Sequence, residues 1–242
     1  SVSGGIINVA DGDGTATVSI GTDLIISGAG AFNVINKSGG ASPTVTVTRD
    51  LLLSGTGSLN LETVSSTAVS TINVGRDFIS TSTSTSIVDF GIGTVSNNVV
   101  NIARNFDKSG TGTFTTTSSS AALGFVFNGS GTTQTFSYSG TNSDYTSYTV
   151  KSGAKLQMNT NLTLGTSNNP ISSFTVASGG ALDFQTNSIF GNGNSEFITS
   201  ANSFLITANT NGMGGTSTSG SLQSFATLSS STTASAGRIN LP

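Results

Sequence analysis

The chain of 242 residues carries eight Lys or Arg, eleven Asp or Glu and no His, for a formal net charge of −3. Only 8% of it is charged, against roughly a quarter in an average globular protein, and its scattered cations form no basic stripe, which argues against a nucleic-acid partner. Without Cys or His it has no disulfide framework, thiolate metal site or Ser–His–Asp triad, and no apolar run reaches the roughly 18 residues of a membrane-spanning helix.

Taken in chain order, the first candidate is Asp11-Gly-Asp13-Gly. It has the look of a fragment of a calcium loop, with Asp11 and Asp13 as ligands. A full loop needs further oxygen ligands and a closing Glu, and the first Glu in the chain is Glu62. The competing reading is a plain Asp-Gly turn. Calcium is the one cofactor that the sequence raises; none other is expected.

Four similar stretches follow, anchored at Asp23, Asp50, Asp77 and Asn105 with spacings of 27, 27 and 28 residues. A fixed period in this range marks a solenoid, propeller or array. Val18, Val45, Ile72 and Val100 form one apolar column, and Ile20, Val47, Val74 and Ile102 form another. Between them runs the polar column Ser19, Thr46, Asn73 and Asn101. This period-2 alternation predicts strands with one buried face. Small-residue corners follow at 27–30, 54–57, 81–84 and 109–112, and Phe32, Leu59 and Phe114 then resume the buried face. Ser86 interrupts that last column, and the extra residue of the fourth spacing is expected between Val88 and Val100.

Arg49-Asp50, Arg76-Asp77 and Arg104-Asn105 recur at one corner. They are read as a structural ladder in which the acid caps a turn and alternating charge limits repulsion. No catalytic residue is assigned. Asp50 and Asp77 stand one coil apart, near enough for the two carboxylates of a glycosidase. Their place in the repeat argues for a structural role, and the absence of His removes the commonest general base.

Residues 1–120 thus form repeats of about 27 residues, and 121–147 fit neither that repeat nor the next. FVFNGSGTTQTFSYSG (125–140) reads as strand, turn, strand. Tyr138, Tyr145 and Tyr148 gather there, and exposed aromatics suit a sugar ring. Asp144, Tyr145 and Tyr148 are the candidate ligand contacts. A second repeat set spans 148–211, led by Tyr148, Phe174 and Phe197 with Leu156, Leu182 and Leu205 behind them. The Ser/Thr/Gly-rich stretch 212–242 is a final coil or a junction. Asn36, Asn128 and Asn161 open N-x-S/T sequons, which chance alone supplies in a chain so rich in these residues.

These elements predict one continuous all-β domain over residues 1–242. It is a parallel β-solenoid, a right-handed β-helix by the handedness rule for parallel crossovers, with coils of about 23–28 residues. No coil can bury its apolar face alone, so neighbours supply the core. The chain is expected to be a piece of something longer, continued end to end by further segments of the same chain or by other copies.

FNGSGTTQTFSYSG, YTVKSGAKLQMNTNLTLG and FTVASGGALDFQTNSIFGNGNSEFITSANSFLITANTNGM resemble the β-helical repeat regions of large Bacteroidota surface proteins exported by type IX secretion, gliding-type adhesins among them. The SGG-A-L phrase is also similar to autotransporter passenger domains. The resemblance covers most of the chain, most closely residues 121–242. It implies a secreted cell-surface stalk or adhesin, with surface glycans as partners, and carries over no functional residue. The alternatives are a glycan-binding or glycan-processing β-helix and an ice-binding solenoid. The latter would use Thr-rich runs such as TVTVT at 44–48, although the polar column Ser, Thr, Asn, Asn is no uniform Thr array.

Overall fold

β-Branched and aromatic residues at every second position give each short strand one apolar face, and stacking coil upon coil buries it. The computed structural model describes residues 1–11, 15–36, 42–63, 69–85, 87–91, 97–115, 124–139, 146–165, 172–191, 195–214, 218–225, 228–230 and 238–240. These residues form a parallel β-solenoid without helix, and every strand pairing among them is parallel.

The strands stack into three walls. The first is a nine-stranded sheet that runs from Thr17–Ile20 through Thr44–Val47, Thr71–Val74, Val99–Ile102, Gly124–Phe127, Tyr148–Val150, Ser173–Val176 and Glu196–Thr199 to Leu228–Ser230. The second, also nine-stranded, runs from Leu24–Ile26 to Arg238–Asn240. The third wall is shared between two smaller sheets. A five-stranded one, Ile6–Ala10, Ala31–Ile35, Ser58–Glu62, Val88–Asp89 and Phe114–Thr115, serves the first half. A three-stranded one, Leu162–Thr163, Ile189–Phe190 and Leu222–Gln223, serves the second.

The stretch that fits neither repeat by sequence joins them in space. Phe125 pairs with both Val100 and Tyr148, and Phe136 with both Phe106 and Met158, so both long sheets pass through it unbroken. Only the third wall changes sheets here.

The expected columns are in register. Val18 pairs with Val45, Val45 with Ile72 and Ile72 with Val100; Ile20, Val47, Val74 and Ile102 do the same. Val45, Val47, Ile72 and Val100 are fully buried, each worth about 1.5–3 kcal/mol relative to exposure. Val18 and Ile20 are half-buried, because their strand is the edge of its sheet. On the first wall coil length keeps to the expected range until the last step, where Phe197 pairs with Leu228, 31 residues on, while the second wall departs earlier, with Phe136 30 residues after Phe106 and Met158 22 after Phe136.

One column differs from the expectation. Leu59 pairs with Val88, and Val88 with Phe114, so Val88 carries the column through the third coil; Ser86 lies outside the described residues. Phe78 to Val88 spans ten residues where Leu51 to Leu59 spans eight, and Val88 to Val100 spans twelve where Leu59 to Ile72 spans thirteen. The third coil therefore gains two residues at its Ser/Thr corner, and one is lost after Val88. Corner chemistry accounts for this. Gly28 and Gly55 turn the first two corners at φ of +56° and +63°, a region that L side chains resist. The third corner has no glycine, and Ser82 holds it through hydroxyl bonds to the carbonyls of Gly55 (3.2 Å) and Gly57 (3.1 Å).

Aromatic rings fill the middle of the stack. Phe78, Phe106 and Phe136 lie nearly face to face at 5.1 and 4.9 Å. Phe125, Tyr148, Phe174 and Phe197 form a second row at 5.8–6.0 Å.

Candidate functional site

The Asx–Arg corner lies between the first and second walls, where each coil turns into its Leu or Phe anchor. Asp23 Oδ1 accepts the backbone N–H of Asp50 (3.2 Å), Asp50 Oδ1 that of Asp77 (3.1 Å), and Asp77 Oδ1 that of Asn105 (3.0 Å). Asn105 Oδ1 then accepts from Thr135 N (3.0 Å). Each Arg reaches back one coil: Arg49 to Asp23 (3.4 Å), Arg76 to Asp50 (3.6 Å), and Arg104 to both oxygens of Asp77. The acids cap the next coil rather than their own turn. The Arg104 hydrogen bond holds the Asp77 carboxyl below the usual carboxylate range, against the opposing effect of burial. In the following coil the buried Gln134 takes over, donating to the carbonyls of Ile102 (2.9 Å) and Arg104 (2.7 Å).

Amides form a second kind of ladder. Asn33 Nδ2 donates to Asn8 Oδ1 (2.9 Å) and Asn60 Nδ2 to Asn33 Oδ1 (2.8 Å). On the first wall Asn101 donates to Asn73 in the same way (2.9 Å).

The candidate ligand contacts fare differently. Tyr148 is no surface residue: it is fully buried in the second aromatic row, and Tyr138 is 5% exposed. Inward alternation on its strand governs Tyr148, and neither ring is free to meet a sugar. Asp144 and Tyr145 lie outside the described residues. So does Asp13. Asp11 is exposed and accepts a hydrogen bond from Asn36 Nδ2 (3.3 Å), which in turn accepts from Thr63 (2.9 Å). Among the described residues no group of three or more acids, His or Cys is placed to hold a metal. Of the sequon residues, Asn128 is exposed, Asn36 is tied into the Asp11–Thr63 ladder, and Asn161 Oδ1 accepts from Ser188 N (2.8 Å).

Two polar clusters escaped the sequence reading. Glu62 closes the second-coil strand of the third wall, fully buried. Asn98 Nδ2 donates to Glu62 Oε2 (3.3 Å) and to the Phe90 carbonyl (2.7 Å), while its Oδ1 accepts from Ser70 N (2.6 Å). Asp89, one coil on, accepts from Gly91 N (2.9 Å). Burial first, and the Glu62 charge with it, push the Asp89 carboxyl above its ordinary value. The second cluster centres on Lys108, 1% exposed. Its Nζ donates to the carbonyls of Gly110 (2.9 Å) and Ser139 (2.8 Å), and lies 4.6 Å from the Tyr138 ring centre. Burial lowers its pKa. A signal existed for Lys108: two residues after the inward Phe106, alternation points it inward as well.

Compared with family models, curated proteins and solved structures, the chain matches none.

Proposed function

We propose that this chain is a structural segment of a secreted cell-surface protein, a stalk or adhesive fibre that holds a binding region away from the cell. The observation that carries the reading is the continuity of the two nine-stranded walls. Eight parallel steps of about 4.8 Å give a rod section of roughly 38 Å, tied at successive steps by amide, ion-pair and ring ladders that engage the chain's polar side chains with one another. In this reading the segment has no enzymatic role, which the internal engagement of the buried Glu62, Lys108 and Gln134 supports. Partners in this reading are further coils of the same polypeptide or other copies end to end, with weak contacts to surface glycans. The resemblance to Bacteroidota surface-protein repeats supports an extracellular location.

The test is an antibody raised against residues 1–242 and applied to intact source cells. Surface labelling, with a detected band far above 24.1 kDa, is the expected result. Labelling only after lysis overturns the proposal.

A further inference from the structure

The second wall breaks a rule that the other two keep. Over the first three coils, the positions that alternate with the core are Ser19, Thr46 and Asn73 on the first wall and Asn8, Asn33 and Asn60 on the third. On the second wall they are Ile25, Leu52 and Ile79, paired in register from coil to coil. Leu24-Ile25-Ile26 and Leu51-Leu52-Leu53 are apolar throughout, the pattern of strands covered on both faces. Their inner residues are buried, yet Ile25 is 38% exposed and Leu52 and Ile79 are half-buried. The column continues into Asp107, which pairs with Ile79, is exposed, and has no bonding partner among the described residues. At the other end, two residues before Ile25, Asp23 receives Arg49 (3.4 Å), whose side chain is 49% exposed and has no second partner among the described residues. The stripe is thus aliphatic, with an unpaired acid at one end and an exposed guanidinium at the other.

We propose that a second copy of the chain covers this stripe, the two rods lying antiparallel with their second walls face to face. The charges select the partner and its direction. A two-fold axis along the strands, between Leu52 and Ile79, sets the Leu52 of each copy against the Ile79 of the other. It also sets each Asp107 over the Ile25 of the other copy. The Asp23 corner that Arg49 reaches lies two residues' rise from Ile25, about 7 Å, a distance that an arginine side chain covers. Each pairing then occurs twice, as an isologous contact requires. Parallel rods would bring Asp107 against Asp107, and like charges repel across an interface. Three aliphatic side chains from each copy make a narrow contact, at the weak end of specific interfaces. The pair therefore forms with concentration, and it joins rods sideways, independently of end-to-end continuation and of the cell-surface reading.

Sedimentation equilibrium of the whole chain over a loading series reads the pair. The wild type is expected to dimerise with rising concentration, and Leu52→Asp to weaken that association by about tenfold or more. Arg49→Glu and Asp107→Arg should each weaken it alone, since each sets like charges together at both ends of the contact. An equimolar mixture of these two variants should regain it, because both ends of the mixed pair again join opposite charges. A wild type that stays monomeric at every concentration overturns the proposal. So does association untouched by Leu52→Asp, which would assign it to the rod ends, or a mixture no tighter than the single variants. Binding of a monomeric wild type to an acidic polysaccharide, lost in Arg49→Glu, gives the corner to a glycan and likewise overturns it. Should Leu52→Asp fail to fold, the two exposed-site variants and their mixture still decide.

Discussion

Arg104 grips Asp77 across a coil boundary with both arms of its guanidinium, its Nε standing 2.7 Å from Oδ1. The same Oδ1 accepts the backbone N–H of Asn105, so one carboxylate fastens both a side chain and a main chain of the coil that follows.

Acid should release this fastening. The Asp77 carboxyl is held below its ordinary value, with Arg104 as the main cause. Its contribution is present above the unfolded-state pKa and disappears as pH falls through the folded-state one. Arg104 is 42% exposed, so Arg104→Ala is expected to cost no more than about 1 kcal/mol at neutral pH. Asp77→Ala also strands the Asn105 N–H and should cost roughly 1–3 kcal/mol. Denaturant melts of both variants at pH 7 and pH 3 check this; the cost of each should shrink at the lower pH.

Tyr148→Phe should stabilise the chain. Burial pushes the phenol's pKa well up, and its hydroxyl is buried with no hydrogen-bond partner among the described residues. An unsatisfied buried hydroxyl costs about 1–3 kcal/mol, and phenylalanine continues the ring row between Phe125 and Phe174. A higher midpoint in thermal unfolding is the expected outcome. A lower one would show that the hydroxyl is satisfied in solution.

Val47→Asp and Thr46→Asp test which face of the strand is inside. Val47 is fully buried and Thr46 half-exposed. An unpaired charge at the first site should remove several kcal/mol or prevent folding; at the second the change should stay near 0.5 kcal/mol. Circular dichroism melts of the pair separate the two.

Lys108 should resist amine acylation in the folded chain while Lys151, which is exposed, reacts. Its lowered pKa would leave more of the amine in the reactive free-base form, so protection must come from burial and from the carbonyls of Gly110 and Ser139. Mass spectrometry after a short pulse of reagent reads this directly. Equal labelling of the two lysines would place Lys108 at the surface.

The wall columns were legible in the sequence because equal spacing and alternation act together. A one-residue slip would turn Val45 and Val47 to solvent, so the register has little freedom. The third wall was less legible. Aligning Ser86 with Leu59 assumed a corner of constant length, but the Ser82 hydroxyl supports a longer corner where glycine is missing, and Val88 takes the position. Tyr148 misled for another reason. A phenol suits a wet surface, yet alternation on Tyr148–Val150 places it beside Phe125, and packing outweighs the stranded hydroxyl. Glu62 gave no periodic cue, since its burial comes from Gly91 and Asn98, far along the chain. The Arg49, Arg76 and Arg104 corner was visible as a pattern, but its direction was not. That each Arg serves the preceding coil depends on side-chain reach, which a repeat alignment does not contain.

Every described strand pairing closes a loop of 22 to 34 residues, from Phe136 with Met158 to Leu205 with Ile239. The entropic cost of closure grows only slowly with loop length, so each added coil meets nearly the same barrier as the one before. Such a chain has no distant partner to search for. Its assembly resembles growth on a seed more than the collapse of a globule, and a polypeptide arriving gradually finds the template for its next coil already standing.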